Sequence, residues 1–438
     1  CSPASRTTEP TVIDIKRLRQ DPAGVRAALA RRLDPELDAA VDTLLALDAR
    51  RRELLTRVEA LKAERNTANE EVARRKKVKE PAGDLLAGLK ASGEAVKRLD
   101  ADVRTVDAEL DALLLRVPNT PLPEVPDGDA SKNVVLRTWG TAPTFSFVPK
   151  AHWELGTELG LFDLPRGAKV TGTGFPLFTG PGSRLVRALQ NFMLDLHTRQ
   201  HGYTEVSPPL LVNRASLTGT GQLPKFEEDV YATSADDFFL VPTAEVPVTN
   251  ILRDEILDGA ALPIAYTAFT PCFRREAGAH GKDTRGLIRV HQFDKVELVR
   301  FVRPEDSPAE HEKITGHAEA VLQALELPYR VVALAAGDTG FSSARTWDLA
   351  VWAPGLGAWL EVSSSSTFTD FQARRANIRF RADAKAKVEF VHTLNASGVA
   401  FPRAIIALLE THQQADGSVT IPAALRPYLG ADRLAPRA

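Results

Sequence analysis

Two runs of apolar residues at alternating steps of three and four, separated by a short breaker, constrain this chain more than any other feature. The clearer run is Leu89, Ser92, Val96, Leu99, Val103, Val106, Leu110, Leu113 and Val117. That is a heptad seam kept for four heptads, the pattern of a helix that lays one stripe against another helix. It would extend about 42 Å at 1.5 Å per residue, and Pro118 ends it. The earlier run is Leu47, Arg51, Leu54, Val58, Leu61, Arg65, Ala68 and Val72, with two arginines on the seam. Between them stands Arg74-Arg75-Lys76-Lys77-Val78-Lys79-Glu80-Pro81, and Pro81 with Gly83 breaks the helix. Two such segments around a breaker predict an antiparallel helical hairpin, an arm projecting with its basic tip outermost. The tip, Arg74 to Lys79, is either a solvated helix end or a phosphate-binding surface.

The rest of the chain has a different composition. No aromatic residue precedes Trp139, whereas strands rich in aromatic and β-branched residues follow, such as Phe238–Val241 and Thr346–Trp352. Short strands between amphipathic helices (Arg184–Arg199, Ala404–Gln413) predict an α+β body around an antiparallel sheet. The expected division is 1–12, disordered or foreign to the fold; 13–118, helical with the arm; 119–135, a proline-rich linker; and 136–438, the body. With 438 residues, 44% of them hydrophobic, there is ample core for two or three domains. Lys+Arg 55 against Asp+Glu 57 excludes a strongly basic protein, though not a local basic patch. Cys1 and Cys272 can build neither a disulfide framework nor a zinc site, and no zinc is expected. No apolar run is long enough to span a membrane, and the first residues carry no signal-peptide pattern. A reducing cytoplasm is the expected location.

The Walker pattern is absent, and Gly172-Thr173-Gly174 and Gly219-Thr220-Gly221 lack the third glycine of a dinucleotide site. A nucleotide would therefore be held by side chains. The stretch Pro271–Glu297 offers them. Two β-like ends, Tyr266–Arg275 and Ile288–Leu298, flank a loop with Lys282, Asp283 and Arg285. Arg274 and Glu276, two apart, are expected on one side of a strand. A guanidinium for phosphate beside a carboxylate for an exocyclic amine suits ATP. The alternative is an ion-pair network on a solvated face.

Phe273-Arg274-Arg275-Glu276 and the loop after it resemble motif 2 of class II aminoacyl-tRNA synthetases. Together with His291-Gln292-Phe293-Asp294-Lys295-Val296-Glu297 the string resembles the seryl-tRNA synthetase family, bacterial type. Other segments agree in order. Gly202-Tyr203-Thr204-Glu205-Val206-Ser207-Pro208-Pro209 resembles motif 1, the dimer element. Thr243-Ala244-Glu245 is similar to the serine-binding loop. Glu361-Val362-Ser363-Ser364, Asp370–Arg375 and Leu394-Asn395-Ala396-Ser397-Gly398 with Arg403 (motif 3) complete the set, and the hairpin is similar to that family's tRNA-binding arm. The resemblance runs from about Ile13 to Gly430.

It implies a class II antiparallel catalytic domain behind a coiled-coil arm, and a ligase that makes seryl-adenylate and then seryl-tRNA. It implies that Arg274 and Arg403 are catalytic, Arg274 on the ATP α-phosphate and the serine carboxylate side, Arg403 on the γ-phosphate. Glu276, Phe293 and Arg289 would complete the ATP site, with Glu276 on the adenine amine and Phe293 stacked on the ring. Glu361 and Ser364 would hold Mg²⁺, Glu245 and Glu297 the serine ammonium, and Thr243 and Ser397 its hydroxyl. Arg74, Arg75, Lys76, Lys77 and Lys79 would meet tRNA(Ser), with tRNA(Sec) a further candidate, and the chain would be a homodimer. The sequence departs from the family's usual pattern at Ala350 (commonly Glu), Ser365 (Cys), Thr367 (Asn), Arg275 (Ser) and Phe401-Pro402 before Arg403 (Val-Gly). Ala350 and Ser365 motivate one alternative, a specialised duplicate with the same reaction; retention of Arg274, Glu276, Glu361 and Arg403 argues against a non-catalytic tRNA-binding paralogue, and the basic-tipped arm against a carrier-protein ligase.

Overall fold

The structure, a computed structural model, describes residues 14–277 and 285–436. The expected extraneous N-terminus (1–12) and Gly281, Lys282 and Asp283 lie outside the described residues. The described residues group into two compact units, 14–30 with Asp34–Val117, and Arg31–Leu33 with 118–277 and 285–436.

The first unit is built on two long helices, α1 (Glu36–Lys77) and α2 (Gly83–Leu114). They run antiparallel: Arg51 pairs with Asp107 at 2.5 Å and Lys62 with Asp100 at 3.4 Å, so the numbers rise on one helix as they fall on the other. Leu54 and Val58 pack with Leu99, Val103 and Val106 along the seam. At the base, Leu37, Val41, Leu44, Leu110 and Leu114 bury Leu18, Val25 and Leu29 from two short helices, Ile15–Gln20 and Pro22–Ala30. There the heptad reading slips. Leu114 is buried and Leu113 only partly, and Asp48 is 1% exposed where Leu47 was expected inward. A 3.6-residue helix drifts about 20° per heptad, and the base must serve a third and fourth helix as well as one partner. Asp48 is tolerated because Arg19 (2.7 Å) and Arg52 (3.1 Å) both bind it.

The second unit is built on an eight-stranded sheet. Its strands are β1 (Val134–Trp139), β2 (Thr204–Glu205), β3 (Ile264–Phe273), β4 (Gln292–Val302), β5 (Tyr329–Ala333), β6 (Arg345–Ala353), β7 (Ala358–Thr369) and β8 (His392–Ala400). The order is β1-β5-β6-β7-β8-β4-β3-β2, antiparallel throughout except β2 beside β3. Helices α3 (His152–Glu158), α4 (Gly180–Arg199), α5 (Glu245–Thr249), α6 (Ser307–Ala324), α7 (Phe371–Arg375) and α8 (Phe401–Thr411) flank it. The α+β antiparallel architecture is the one the sequence predicts. The main core joins α4 and α8, through Leu189, Met193, Ile405 and Leu408, to sheet residues Val296, Leu349 and Val362.

The segment 119–135 is packed rather than tethering. Asn119 is buried, with its N–H on the Phe341 carbonyl (2.9 Å) and its amide on the Phe368 carbonyl (2.8 Å); Leu122 N–H reaches Ala344. Its prolines hold the chain extended, which lets it pair with a neighbouring loop, and β1 already begins at Val134. The expected strand ends also move. The two strands stop at Phe273 and start at Gln292, so Arg274, Glu276, Ile288 and Arg289 lie outside the ladder.

Candidate active site

Alternation along β4 puts Phe293, Lys295 and Glu297 on one face of the sheet. Asn395 and Ser397 of β8, Glu361, Ser364 and Ser366 of β7 and Thr346 of β6 join them around a cavity of about 460 Å³. Every residue that the sequence singled out for serine or ATP lines this cavity: Thr243, Glu245, Arg274, Glu276, Arg289, Phe293, Glu297, Glu361, Ser364, Ser397 and Arg403.

The closed end is a buried charge network. Thr243, just ahead of α5, accepts a hydrogen bond from Lys295 Nζ (2.8 Å) and donates to Glu297 (3.4 Å). Lys295 also pairs with Glu297, whose other oxygen accepts from Asn395 (3.0 Å). Glu245 accepts from Gln372 on α7 (2.6 Å), and Gln372 is itself oriented by Thr393 (2.8 Å). Burial and then the charge of Glu297 push the Glu245 carboxyl up to about 7. Burial also raises Glu297, against the pull of Lys295 and Arg274. Two buried carboxylates share one buried ammonium, so this end attracts a further cation. Lys295, Gln372 and Asn395 were not singled out from the sequence. A lysine on a strand carries no local signal, and only the fold brings Gln372 to Glu245.

The other end is where three arginines meet carboxylates or carbonyls. Arg274 donates to the Pro242 carbonyl (3.2 Å), and its guanidinium lies 5.2 Å from the Phe293 ring centre. Glu276 pairs with Arg289. The two-apart rule that placed Arg274 and Glu276 together fails here. The strand has ended, Glu276 has φ +52°, and a left-handed turn rather than strand alternation brings it to the cavity. Arg403, in the first turn of α8, donates to the carbonyls of Ile288 (3.2 Å) and Glu361 (2.7 Å). Beside Glu361, Asp348 of β6 stands opposite Ser364 in the ladder. Burial and then the Glu361 charge raise its carboxyl well above the usual range, and its Oδ1 has no partner among the described residues.

Arg32 supports the cavity from behind. It is buried, and it donates to the carbonyls of Asn119 (2.6 Å), Thr339 (2.7 Å) and Ser343, fixing the loop whose Gly340, Ser342 and Ser343 line the cavity. With carbonyl acceptors only, burial lowers its pKa to about 10.

The departures from the family pattern leave the cavity ligands alone. Ser365 and Thr367 face α6, bonded to Thr315 (2.8 Å) and Ser307 (3.1 Å), on the other side of the sheet from Ser364 and Ser366. Ala350 is buried between Arg330 and Glu361 in the ladder, and neither it nor Arg275 lines the cavity. Only Pro402 does.

At the hairpin tip the five cations are unequal. Arg74 binds Glu71 (2.8 Å) and Glu80 (3.3 Å), and Arg75 binds Glu71 (3.1 Å) and Asp84 (3.2 Å). Lys76, Lys77 and Lys79 make no ion pair among the described residues. The motif 1 segment places Tyr203 in the core against Leu298 and Ala396, while Pro209, Leu210 and Leu211 stay exposed.

Two family profiles match the chain: "Seryl-tRNA synthetase N-terminal domain" over residues 12–121 and "tRNA synthetase class II core domain (G, H, P, S and T)" over 225–412. A serine–tRNA ligase of Trichlorobacter lovleyi is 55% identical over 420 residues, covering 96% of this chain and 98% of the relative. One of Gemmatimonas aurantiaca is 57% identical over 420 residues, covering 95% and 98%. Among solved structures, seryl-tRNA synthetase from Pyrococcus horikoshii complexed with ATP superposes with a TM-score of 0.92 at 40% identity, covering 97% of this chain and all of that one.

Proposed function

The chain belongs to the seryl-tRNA synthetase family, with that family's serine–tRNA ligase activity, and from this premise we propose how its residues divide the work. The carrying observation is the closed end of the cavity, two buried carboxylates to one buried lysine. Serine's ammonium supplies the missing positive charge between Glu245 and Glu297. Its hydroxyl is framed by Thr243 and Ser397. A site that hydrogen-bonds this hydroxyl rejects alanine because its own polar groups would be left unpaired; threonine is excluded by lack of room for its methyl.

ATP occupies the other end. Glu276 accepts from the adenine amine, exchanging part of its pairing with Arg289. Phe293, already faced by Arg274, stacks on the base. Arg274 then sits where the serine carboxylate and the α-phosphate meet, and its planar fork suits both. Arg403 holds the γ-phosphate, its guanidinium anchored by the two carbonyls. Serine's carboxylate oxygen attacks the α-phosphorus, the bond to the bridging oxygen breaks, and pyrophosphate leaves. The terminal ribose hydroxyl of tRNA next attacks the seryl carbonyl, and AMP leaves. The protein supplies alignment and charge neutralisation, with no covalent intermediate on the chain.

Mg²⁺ fits the phosphate end. Glu361 and Ser364 offer oxygen ligands beside the unpartnered Asp348 Oδ1, while no group of three or more His, Cys, Asp or Glu among the described residues could enclose a metal. A hard cation that keeps phosphate and water ligands needs only such an open, partial site. When bound, it would neutralise charge on the phosphates.

The lysines and arginines of the hairpin tip meet tRNA(Ser), and a second copy of the chain covers the exposed Pro209–Leu211 edge. No helix among the described residues is long and apolar enough to cross a membrane, and the cytoplasm is the proposed location. The test is serine-dependent ATP–pyrophosphate exchange followed by charging of tRNA(Ser). Exchange stimulated by another amino acid in serine's place would refute the assignment of the closed end.

A further inference from the structure

Behind the cavity lies a buried pair that the reaction scheme above does not use. His152 opens α3 and Glu410 lies two turns beyond Arg403 on α8; both side chains are fully buried. Glu410 Oε1 accepts from the His152 backbone N–H (2.9 Å) and lies 3.0 Å from its Nδ1. Glu410 Oε2 accepts the backbone N–H groups of Gly355 (2.9 Å) and Leu356 (3.1 Å). On the far side of the imidazole, Nε2 is 3.1 Å from the backbone N–H of Leu287. A backbone N–H only donates, so Nε2 must be the acceptor and Nδ1 carries the proton toward Glu410. The imidazole is thereby fixed as one neutral tautomer with both nitrogens engaged.

What it holds is the return limb of the motif 2 loop. Leu287, Ile288 and Arg289 all line the cavity; Arg289 pairs with Glu276, and the Ile288 carbonyl anchors Arg403. Gly286 has φ +66°, and a Cβ there would stand 2.3 Å from His152 Nε2, so the limb is pressed onto the imidazole. The next residue of α3, Trp153, faces the Arg285 guanidinium at 4.2 Å. The hydrogen bonds of the closed end, among Thr243, Glu245, Lys295, Glu297, Gln372 and Asn395, involve neither His152 nor Glu410.

We propose that His152, oriented by Glu410, is a positioning residue for ATP: it sets the backbone at Leu287 and through it the two phosphate- and adenine-facing pairs, Arg403 with Ile288 and Glu276 with Arg289. The proposal rests on the division of the cavity into ATP and serine ends given above.

The test is ATP–pyrophosphate exchange on the full chain with H152L, which keeps bulk and loses both hydrogen bonds, and H152Q, whose Oε1 can accept again from Leu287. Losing a buried acceptor whose donor is then stranded should raise KM for ATP by about tenfold in H152L, with KM for serine within about twofold. H152Q should recover part of the ATP effect. If H152L does not fold, G286A provides the same displacement with the histidine present, and the same ATP-selective effect is expected. Unchanged KM for ATP in a folded H152L or G286A, or equal rises for ATP and serine, overturns the inference. Wild-type protein lacking serine-dependent exchange would instead remove the functional assignment.

Discussion

Serine should enter the cavity with release of part of a proton near neutral pH, because Glu245 is about half protonated at pH 7 when the site is empty. The carboxyl is pushed up to about 7, first by burial and next by Glu297. An ammonium bound against it favours the ionised form. With that value, about one site in eleven is ionised at pH 6 and about ten in eleven at pH 8. Serine affinity should therefore fall about tenfold between pH 8 and pH 6, a range in which serine's own ammonium stays protonated. At pH 7 about half a proton should leave per serine bound. Isothermal titration of serine in two buffers of different ionisation enthalpy reads that proton directly, and E245Q should abolish it while binding weakly at every pH. Stability carries the opposite sign. A carboxyl with a raised folded-state pKa contributes fully below its unfolded value of about 4.5 and loses that contribution as pH rises through about 7. The difference is on the order of 3 kcal/mol at full loss, so wild type should lose more stability than E245Q between pH 5 and pH 8. A pH-independent serine affinity in wild type, or proton release that persists in E245Q, refutes the reasoning.

Other outcomes follow from the same geometry. R274A and R403A should each slow pyrophosphate exchange by about a hundredfold or more, the usual cost of losing a transition-state charge contact; near-wild-type rates in folded variants would dissolve the proposed phosphate end. The chain should be a homodimer through the Gly202–Leu211 segment, read by light scattering at micromolar concentration, and a monomeric mass there contradicts it. Removing about Leu37–Val117 should leave serine-dependent exchange largely intact and nearly abolish tRNA charging, because none of those residues belongs to the body's core. Neutralising Lys76, Lys77 and Lys79 should weaken tRNA binding and flatten its salt dependence, by up to about 0.9 in slope per lost phosphate contact. Neutralising Arg74 and Arg75, already paired to Glu71, Glu80 and Asp84, should do less; equal effects would show that tRNA breaks those pairs.

What the sequence determined by itself is periodic or contiguous. A seam of one residue per half-heptad states that two helices pair, because burial along a helix repeats at that spacing whatever surrounds it. The breaker at Pro81 fixes where they turn. The short motifs, joined in order, named the family, and eleven residues scattered from Thr243 to Arg403 turned out to line one cavity. The errors came where the surroundings overrule the repeat. Leu114 displaces Leu113 because the hairpin's base packs against two further helices, and Asp48 is buried because Arg19, twenty-nine positions away, meets it. Glu276 reaches the cavity through a left-handed turn that strand alternation cannot express. Only the tertiary structure set Lys295 against Glu297, Gln372 against Glu245 and His152 between Glu410 and Leu287. Those contacts join elements that are distant in the chain, and a buried charge takes its properties from its neighbours in space, so no window of sequence contains the reason that Glu245 holds a proton near neutrality.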